Sequence, residues 1–125
     1  MELEIAVDGR GVARQGISMD IEIAAQQLEA LGNATRLELY RTLVRAGPEG
    51  LAVGQLQQRL GIAASTLSHH LRRLVDRGLV SQERQATTLI CRASYPAMNG
   101  LIGFLADECC ADAGCAVAAP QEDVA

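Results

Sequence analysis

The sequence predicts a mainly helical domain that carries a β-hairpin near its C-terminal end. Apolar residues recur every three or four positions in four successive segments, and a glycine follows each segment. After Gly78 the pattern changes to two short apolar runs separated by polar residues, which is typical of a hairpin. With 125 residues the chain has room for one domain. Adjoining helices followed by a hairpin predict a winged helix-turn-helix domain.

The first two helices are predicted from periodicity and capping residues. The first begins at Asp20 and ends at Gly32, with the apolar stripe Ile21, Ala24, Ala25, Leu28 and Leu31. Asn33 can cap the second helix, which ends at the breaker pair Gly47-Pro48. The apolar residues of that helix are Leu37, Tyr40, Leu43 and Val44. Each helix therefore has one face suited to a core.

Two further helices, a hairpin and a last helix complete the predicted domain. The third helix is short, from Val53 to Gly61, and the fourth runs from about Ala63 to Arg77. The hairpin strands are residues 79–81 and 88–91, and the polar stretch 82–87 connects them. Ser94 can cap the last helix, and Pro96 can enter its first turn. Its apolar stripe is Met98, Leu101, Ile102 and Leu105, continued by Cys109.

The chain divides into one domain and two flanking segments. Residues 1–17 are glycine-rich and are predicted to form a loose N-terminal arm, and residues 18–112 form the winged helix-turn-helix domain. Residues 113–125, which include Cys115, lack periodicity and are predicted to be a disordered tail. No apolar run approaches the ~18–20 residues that span a bilayer, and no secretory signal begins the chain. We therefore expect a cytoplasmic protein with no membrane partner.

The formal charge of −4 is unevenly distributed along the chain. Residues 1–58 sum to −3, residues 59–92 to +4 and residues 93–125 to −5. Salt screens charges beyond roughly 8–10 Å, so a basic segment of an acidic chain can still attract phosphate. The basic segment contains the fourth helix and the hairpin, which makes these elements the candidates for binding double-stranded DNA.

The fourth helix is the predicted DNA-reading element. At about 100° per residue, three leucines fall on one face and polar side chains fall on the other. Small hydroxyl groups can approach base edges, and arginines can reach a phosphate or a guanine. A solvated surface helix would show the same polarity, and His70, between the two faces, is predicted to be packed. The candidate DNA-binding residues are Ser65, Thr66, Ser68, His69, Arg72, Arg73 and, at the hairpin tip, Arg84.

Three segments resemble the ArsR/SmtB family of metal-sensing transcriptional repressors. Residues 31–37, LGNATRL, resemble the LGDPTRL motif of the family, and residues 65–71, STLSHHL, resemble its STVSxHL recognition helix. Residues 77–80, RGLV, are similar to the AGLV that leads into the wing. The resemblance implies a homodimer with the first and last helices at its interface. It also implies two recognition helices on a palindromic operator, and autorepression of a resistance operon.

Other positions depart from the patterns of the family. Ala64 stands where many members have a glutamine, so the operator sequence cannot be transferred. Residues 52–54 read AVG where well-known arsenic sensors have CVC, and that metal site is absent. Members that bind zinc on the last helix use Asp, His and Glu, and this last helix has no His. Zinc is therefore not the expected ligand.

The cysteines are the candidate sensor. Cys109, Cys110 and Cys115 resemble a subset of the family that binds trivalent arsenic near the end of the last helix. Trivalent arsenic is soft and thiophilic, so three thiolates satisfy it. In a continuous helix Cys110 and Cys115 would stand about 7.5 Å apart along the axis, so a break is needed, and Gly114 permits one. Cys91 is the alternative third ligand and resembles that of members favouring methylated arsenicals. We expect a repressor released by arsenite, methylated arsenicals or antimonite.

Several alternatives remain open on the sequence. Cys91 alternates with Leu89 and could equally be a small buried residue. A redox- or persulfide-responsive repressor of the same family is the alternative function, through a disulfide of Cys115 with one of the vicinal pair. A disulfide within the pair would be strained, because adjacent Cα atoms are only about 3.8 Å apart. A metallochaperone would leave the fourth helix unexplained. No enzyme is expected, because neither a CxxC motif nor a phosphate-binding loop occurs.

Overall fold

The fold is the winged helix-turn-helix that the sequence predicts. The computed structural model describes residues 19–113, so the predicted arm, nearly all of the predicted tail and Cys115 lie outside the described residues. The elements in chain order are α1 (Ile21–Leu31), α2 (Ala34–Ala46), β1 (Leu51–Ala52), α3 (Val53–Leu60), α4 (Ala64–Asp76), β2 (Val80–Gln85), β3 (Thr88–Ala93) and α5 (Tyr95–Ala106). Among residues 19–113, no helix combines the length and the hydrophobicity needed to cross a membrane.

Side-chain caps explain where three of the helices begin. The Asp20 carboxylate accepts a hydrogen bond from the backbone N–H of Ile23 at 2.8 Å. Asn33 Oδ1 accepts one from the N–H of Arg36 at 3.0 Å, and Ser94 Oγ accepts one from the N–H of Ala97 at 3.3 Å. Each cap satisfies a donor that the first helical turn leaves without a partner. The predicted starts of α1, α2 and α5 are confirmed.

The sheet contains a strand that the sequence analysis missed and a longer wing than it predicted. β1 pairs antiparallel with β3, with Leu51 opposite Cys91, and the strand order is β1-β3-β2. Two residues are too few to show a period of two, so β1 carried no signal. Residues 82–85, predicted as part of the turn, belong to β2. Their side chains are exposed, so no apolar alternation marks this part of the strand.

The core lies where α2, α3 and α4 meet the sheet. Its fully buried large side chains are Leu39, Leu43, Leu56, Leu67, Leu74, Leu79 and Cys91. The predicted stripe of α1 is only partly right, because α1 buries Ala24, Gln27 and Ala30 while Ile21 and Leu28 stay exposed. An amphipathic stripe shows that a helix has an apolar side, and it does not show which partner covers it.

The last helix ends earlier than its apolar stripe predicts. α5 stops at Ala106, so Cys109 does not continue the helix. Residues 107–113 instead form tight turns with hydrogen bonds between residues three apart, including Cys109 N–H to the Ala106 carbonyl at 3.0 Å. Cys110 has a positive φ of 61°, which is incompatible with a helix. All seven residues are exposed, so no packing holds them in helical form.

Candidate nucleic-acid interface and thiol cluster

Helix α4 presents a polar surface because its leucines anchor the opposite side. Leu67, Leu71 and Leu74 are buried in the core. The side chains that the sequence analysis singled out on the other side are exposed: Ser65, Thr66, Ser68, His69 and Arg72. Hydroxyl, imidazole and guanidinium groups on one exposed helix face offer both donors and acceptors to base edges and phosphates.

The wing borders this surface and also a second groove beside α3. A cleft of about 490 Å³ separates α4 from the wing, and Ser68, Arg72 and Gln82 contribute to its lining. Arg84 lies on β2 beside the turn and lines a wider groove of about 1080 Å³ with Gln55 and Gln58 of α3. Helix α3 was not among the elements predicted to bind DNA, although its three glutamines were a sequence signal for a polar surface there.

Arg73 occupies a different environment from its neighbour Arg72. Its Nη2 donates to both carboxylate oxygens of Glu29 on α1, each at 2.9 Å. The Arg73 side chain is 34% exposed, and the Glu29 side chain is 61% exposed. The sequence analysis placed Arg73 with the DNA-binding residues, but in this structure α1 already binds its guanidinium. A helical wheel cannot show this, because it contains no information about neighbouring helices.

His70 is buried against Arg36, in agreement with its prediction as a packed side chain. Arg36 Nη1 lies 3.4 Å from His70 Nδ1, and arginine has only donors, so Nδ1 accepts and the ring proton lies on Nε2. Arg36 also donates through Nε to the Ala30 carbonyl at 2.6 Å. Burial lowers the pKa of His70 below 6.5, and the positive charges of Arg36, His69 and Arg73 lower it further.

Helix α1 also contacts the C-terminal end of α4. Gln27 is buried, and its Nε2 donates to the Arg77 carbonyl at 3.1 Å. Arg77 Nη1 donates to Gln26 Oε1 at 3.3 Å. Arg77 is the C-cap residue of α4, where carbonyl groups lack helical partners. The sequence carries no local signal for these contacts, which join residues 50 and 51 positions apart.

The vicinal cysteines lie on an exposed turn beyond α5. The Cys109 thiol donates to Cys110 Sγ at 3.9 Å, and Cys109 is a free, exposed thiol. Cys110 is disulfide-bonded.

Cys91 belongs to the core rather than to the thiol turn. It is fully buried, and Gln82 Nε2 donates to its Sγ at 3.5 Å. Burial raises the pKa of the Cys91 thiol, which disfavours the thiolate that a metal ligand must supply. Within residues 19–113, no group of three His, Cys, Asp or Glu side chains is arranged to hold a metal ion. The structure therefore does not bring Cys91 to the vicinal pair, and its interpretation as a small buried residue accounts for its position.

Comparisons with known proteins find helix-turn-helix regulators. A family described as a helix-turn-helix domain matches residues 31–83, from the end of α1 into β2. The nodulation protein NolR of Rhizobium meliloti is 40% identical over 88 residues, which make up 70% of each chain. A putative arsenical resistance operon repressor, ArsR2 of Halobacterium salinarum, is 37% identical over 62 residues, covering 50% of this chain and 51% of the relative.

A solved structure agrees with the fold. It is a homodimeric winged helix-turn-helix DNA-binding domain from Mycobacterium bovis, described as a possible ArsR-family transcriptional regulator. The two chains align with a TM-score of 0.56 and 27% identity, over 70% of this chain and 82% of that domain.

Proposed function

Since the chain belongs to the ArsR/SmtB family of helix-turn-helix transcriptional regulators, we propose that it is a repressor that trivalent arsenic releases from operator DNA. The observation that carries the DNA-binding part is the exposed polar face of α4, opposite its buried leucines. Ser65, Ser68 and His69 would read base edges, and Arg72 and Arg84 would contact phosphates. Thr66 lies at the rim of the same face. Arg73 is left out of this set because Glu29 binds it.

The active form would be a homodimer. Four large apolar side chains on α1 and α5 are exposed: Ile21, Leu28, Ile102 and Leu105. We call this set the α1–α5 apolar face. Two of these residues are strongly exposed, Ile21 at 70% and Leu105 at 60%, although α1 and α5 pack against each other. A second copy of the same face would remove it from water, and the homodimeric relative from Mycobacterium bovis supports this arrangement.

The vicinal cysteines support the proposed response to arsenic. The sulfurs of Cys109 and Cys110 are 3.9 Å apart on adjacent residues. Small rotations of these two exposed side chains would bring both sulfurs to one soft centre once Cys110 is reduced. Cys115 would supply the third thiolate. Antimonite and methylated arsenicals share the same soft chemistry, and the similarity to an arsenical resistance repressor favours the arsenical class.

Ligand binding would act through the end of α5. Drawing three thiolates together would reorder residues 107–113, which directly follow the helix that carries Ile102 and Leu105. A change in how α5 packs in the dimer would change the distance between the two α4 helices. Allosteric couplings are typically about 1–3 kcal/mol, and each tenfold loss of DNA affinity needs about 1.4 kcal/mol, so such a change is sufficient.

A titration of DNA binding tests this proposal. Reduced protein would be titrated onto a fluorescent duplex of its own upstream promoter, with and without arsenite, for the wild type, Cys110→Ser and Cys91→Ala. We expect arsenite to weaken binding by the wild type and by Cys91→Ala at least tenfold, and to leave Cys110→Ser bound. Release of Cys110→Ser by arsenite would contradict the proposed site, and absence of DNA binding by the wild type would contradict the repressor function.

A redox-responsive repressor is the second candidate function. The observation that favours it is the disulfide at Cys110, since oxidation of two thiols to a disulfide is a signal in itself. The proposed pair is Cys110 and Cys115, which would give two electrons and two protons to an oxidant. If oxidation alone releases the wild type while arsenite has no effect on the reduced protein, this second function replaces the first.

A further inference from the structure

We infer that Arg73 is a positioning residue, which Glu29 holds so that α1 fixes the angle of α4 relative to the dimer axis. This inference rests on the proposed DNA-binding dimer. In this role Arg73 does not contact a phosphate. It differs in this from the adjacent Arg72, which is exposed on the α4 face proposed to bind DNA. Together with the contacts of Gln26 and Gln27 to Arg77, the ion pair forms what we call the α1–α4 seam.

The seam is made of three polar contacts within four consecutive residues of α1. Glu29 binds Arg73 through both carboxylate oxygens, Gln26 accepts from Arg77 Nη1, and Gln27 donates to the Arg77 carbonyl. The Gln27 side chain is buried, so this contact cannot be exchanged for water without cost. The contacts lie on the last turn of α4 and at its C-cap, three to seven residues beyond His70. They therefore restrain the C-terminal end of the recognition helix.

The position of α1 explains how the α1–α4 seam could affect DNA binding. The same helix carries Ile21 and Leu28 of the α1–α5 apolar face, and Ile21 also borders the groove that Glu29 and Arg73 line, so in a dimer α1 would contact both the partner and α4. Two recognition helices must meet major grooves about 34 Å apart, and small rotations of α4 change that distance. A contact that ties α4 to the interface helix therefore sets the half-site spacing that the dimer accepts.

The opposite interpretation makes a distinct prediction. If Glu29 only competed with DNA for Arg73, its removal would free a cation for phosphate, tighten binding and steepen the salt dependence. Each phosphate contact contributes about 0.9 to the slope of log K against log salt concentration. If Arg73 positions α4, its removal leaves the slope unchanged and alters the preference for half-site spacing.

The test compares adjacent arginines and two acids of α1. Footprinting would first locate the two half-sites in the promoter duplex. Five proteins would then be titrated onto this duplex at several salt concentrations: the wild type, Arg72→Gln, Arg73→Gln, Glu29→Gln and Glu22→Gln. The same titrations would be repeated on a duplex with one base pair inserted between the half-sites. Glu22 is the matched control, because it lines the same groove between α1 and α4 and makes no ion pair among the described residues. Thermal melting would establish that each variant is folded.

We expect Arg72→Gln to reduce the slope of log K against log salt concentration by about 1 on both duplexes. Arg73→Gln and Glu29→Gln should keep the wild-type slope, weaken binding to the native duplex about three- to tenfold and discriminate less against the inserted base pair. The double variant Glu29→Gln/Arg73→Gln should be no weaker than either single variant, and Glu22→Gln should match the wild type.

Three results would overturn the inference. They are a slope reduced by about 1 in Arg73→Gln, tighter binding with a steeper slope in Glu29→Gln, or unchanged spacing discrimination in both variants. Failure of the wild type to bind any duplex of the promoter would instead overturn the proposed function, and the inference with it.

Discussion

Tyr40 and Tyr95 differ in whether the hydroxyl group has a hydrogen-bond partner. Tyr95 Oη donates to the Val44 carbonyl at 3.0 Å. The Tyr40 hydroxyl is buried, and no group of the described residues forms a hydrogen bond with it. Burial, together with the nearby Tyr95, raises the pKa of Tyr40 to about 12. A buried hydroxyl without a partner has lost its hydration and gained nothing in exchange.

We therefore expect opposite effects when each hydroxyl is removed. Tyr40→Phe should raise the free energy of unfolding by about 1 kcal/mol, whereas Tyr95→Phe should lower it by about 1 kcal/mol. Urea unfolding at a fixed protein concentration measures both changes. A loss of stability in Tyr40→Phe equal to that in Tyr95→Phe would mean that the Tyr40 hydroxyl does have a partner.

Gly50 is the glycine that the backbone most requires. Its φ is +74°, and a Cβ atom built there would lie 2.3 Å from the carbonyl oxygen of Cys91. Positive φ costs a residue with a side chain about 1–2 kcal/mol, and the overlap with backbone adds to that cost. Gly50→Ala should therefore lower the free energy of unfolding by about 2 kcal/mol or more. Gly54→Ala, in α3 with open space around it, should change it by less than about 1 kcal/mol, and urea midpoints compare the two.

At the scale of the element, α4 is held at several points by α1 and α2. His70 contacts Arg36 at the start of α2, and the α1–α4 seam begins three residues further along α4, at Arg73. The charged or titratable groups that act on His70 are Arg36, His69 and Arg73, all of them basic. None of these contacts could be predicted from the sequence, since each joins residues more than 30 positions apart.

The burial of His70, together with the nearby positive charge of Arg36, predicts a loss of stability in mild acid. The pKa of His70 is lowered in the folded state, so the unfolded chain takes up the proton first as the pH falls. The stabilisation is complete above about pH 6.5 and decreases as the pH falls below it, by at most about 1.4 kcal/mol per pH unit for one proton. His70→Gln should show a flatter dependence of unfolding free energy between pH 7 and 5 than the wild type. Parallel curves for His70→Gln and wild type would contradict this assignment.

The elements themselves were predictable to different degrees. Helical periodicity and the caps Asn33 and Ser94 defined the helices of the first half and the start of α5, because these signals are local. The wing was less predictable, since the exposed residues of β2 carry no alternation and its pairing with β3 is a contact between strands. The predicted C-terminal end of α5 was wrong because Cys109 lies at helical spacing in the sequence but has nothing to pack against.

At the scale of the whole molecule, the sequence indicated most residues of the candidate site but not the residues that contact them. The polar face of α4 and the vicinal cysteines were visible in the chain. The burial of Cys91 and the capture of Arg73 by Glu29 required the tertiary structure, because both result from packing between distant segments. The exposure of Ile21 and Leu28 likewise required it, since one chain leaves these residues uncovered.

The α1–α5 apolar face predicts that a single charge on it will dissociate the proposed dimer. Ile102→Glu should convert the protein to a monomer at micromolar concentration, because a carboxylate would then be buried in the interface. Sedimentation measures the mass. DNA affinity should fall at least tenfold, because the two recognition helices no longer act together. Leu37 is an exposed apolar residue on α2, and the control variant Leu37→Glu should remain dimeric. Dissociation of Leu37→Glu in place of Ile102→Glu would mean that the interface lies elsewhere.

The turns that follow α5 have a consequence for how regulators of this kind diversify. Residues 107–113 are exposed and contribute nothing to the core, so their replacement carries little cost for folding. Under the proposed function, substitutions in this stretch could therefore change the ligand without changing the elements proposed to bind DNA. Such substitutions would not have to preserve the hydrophobic core.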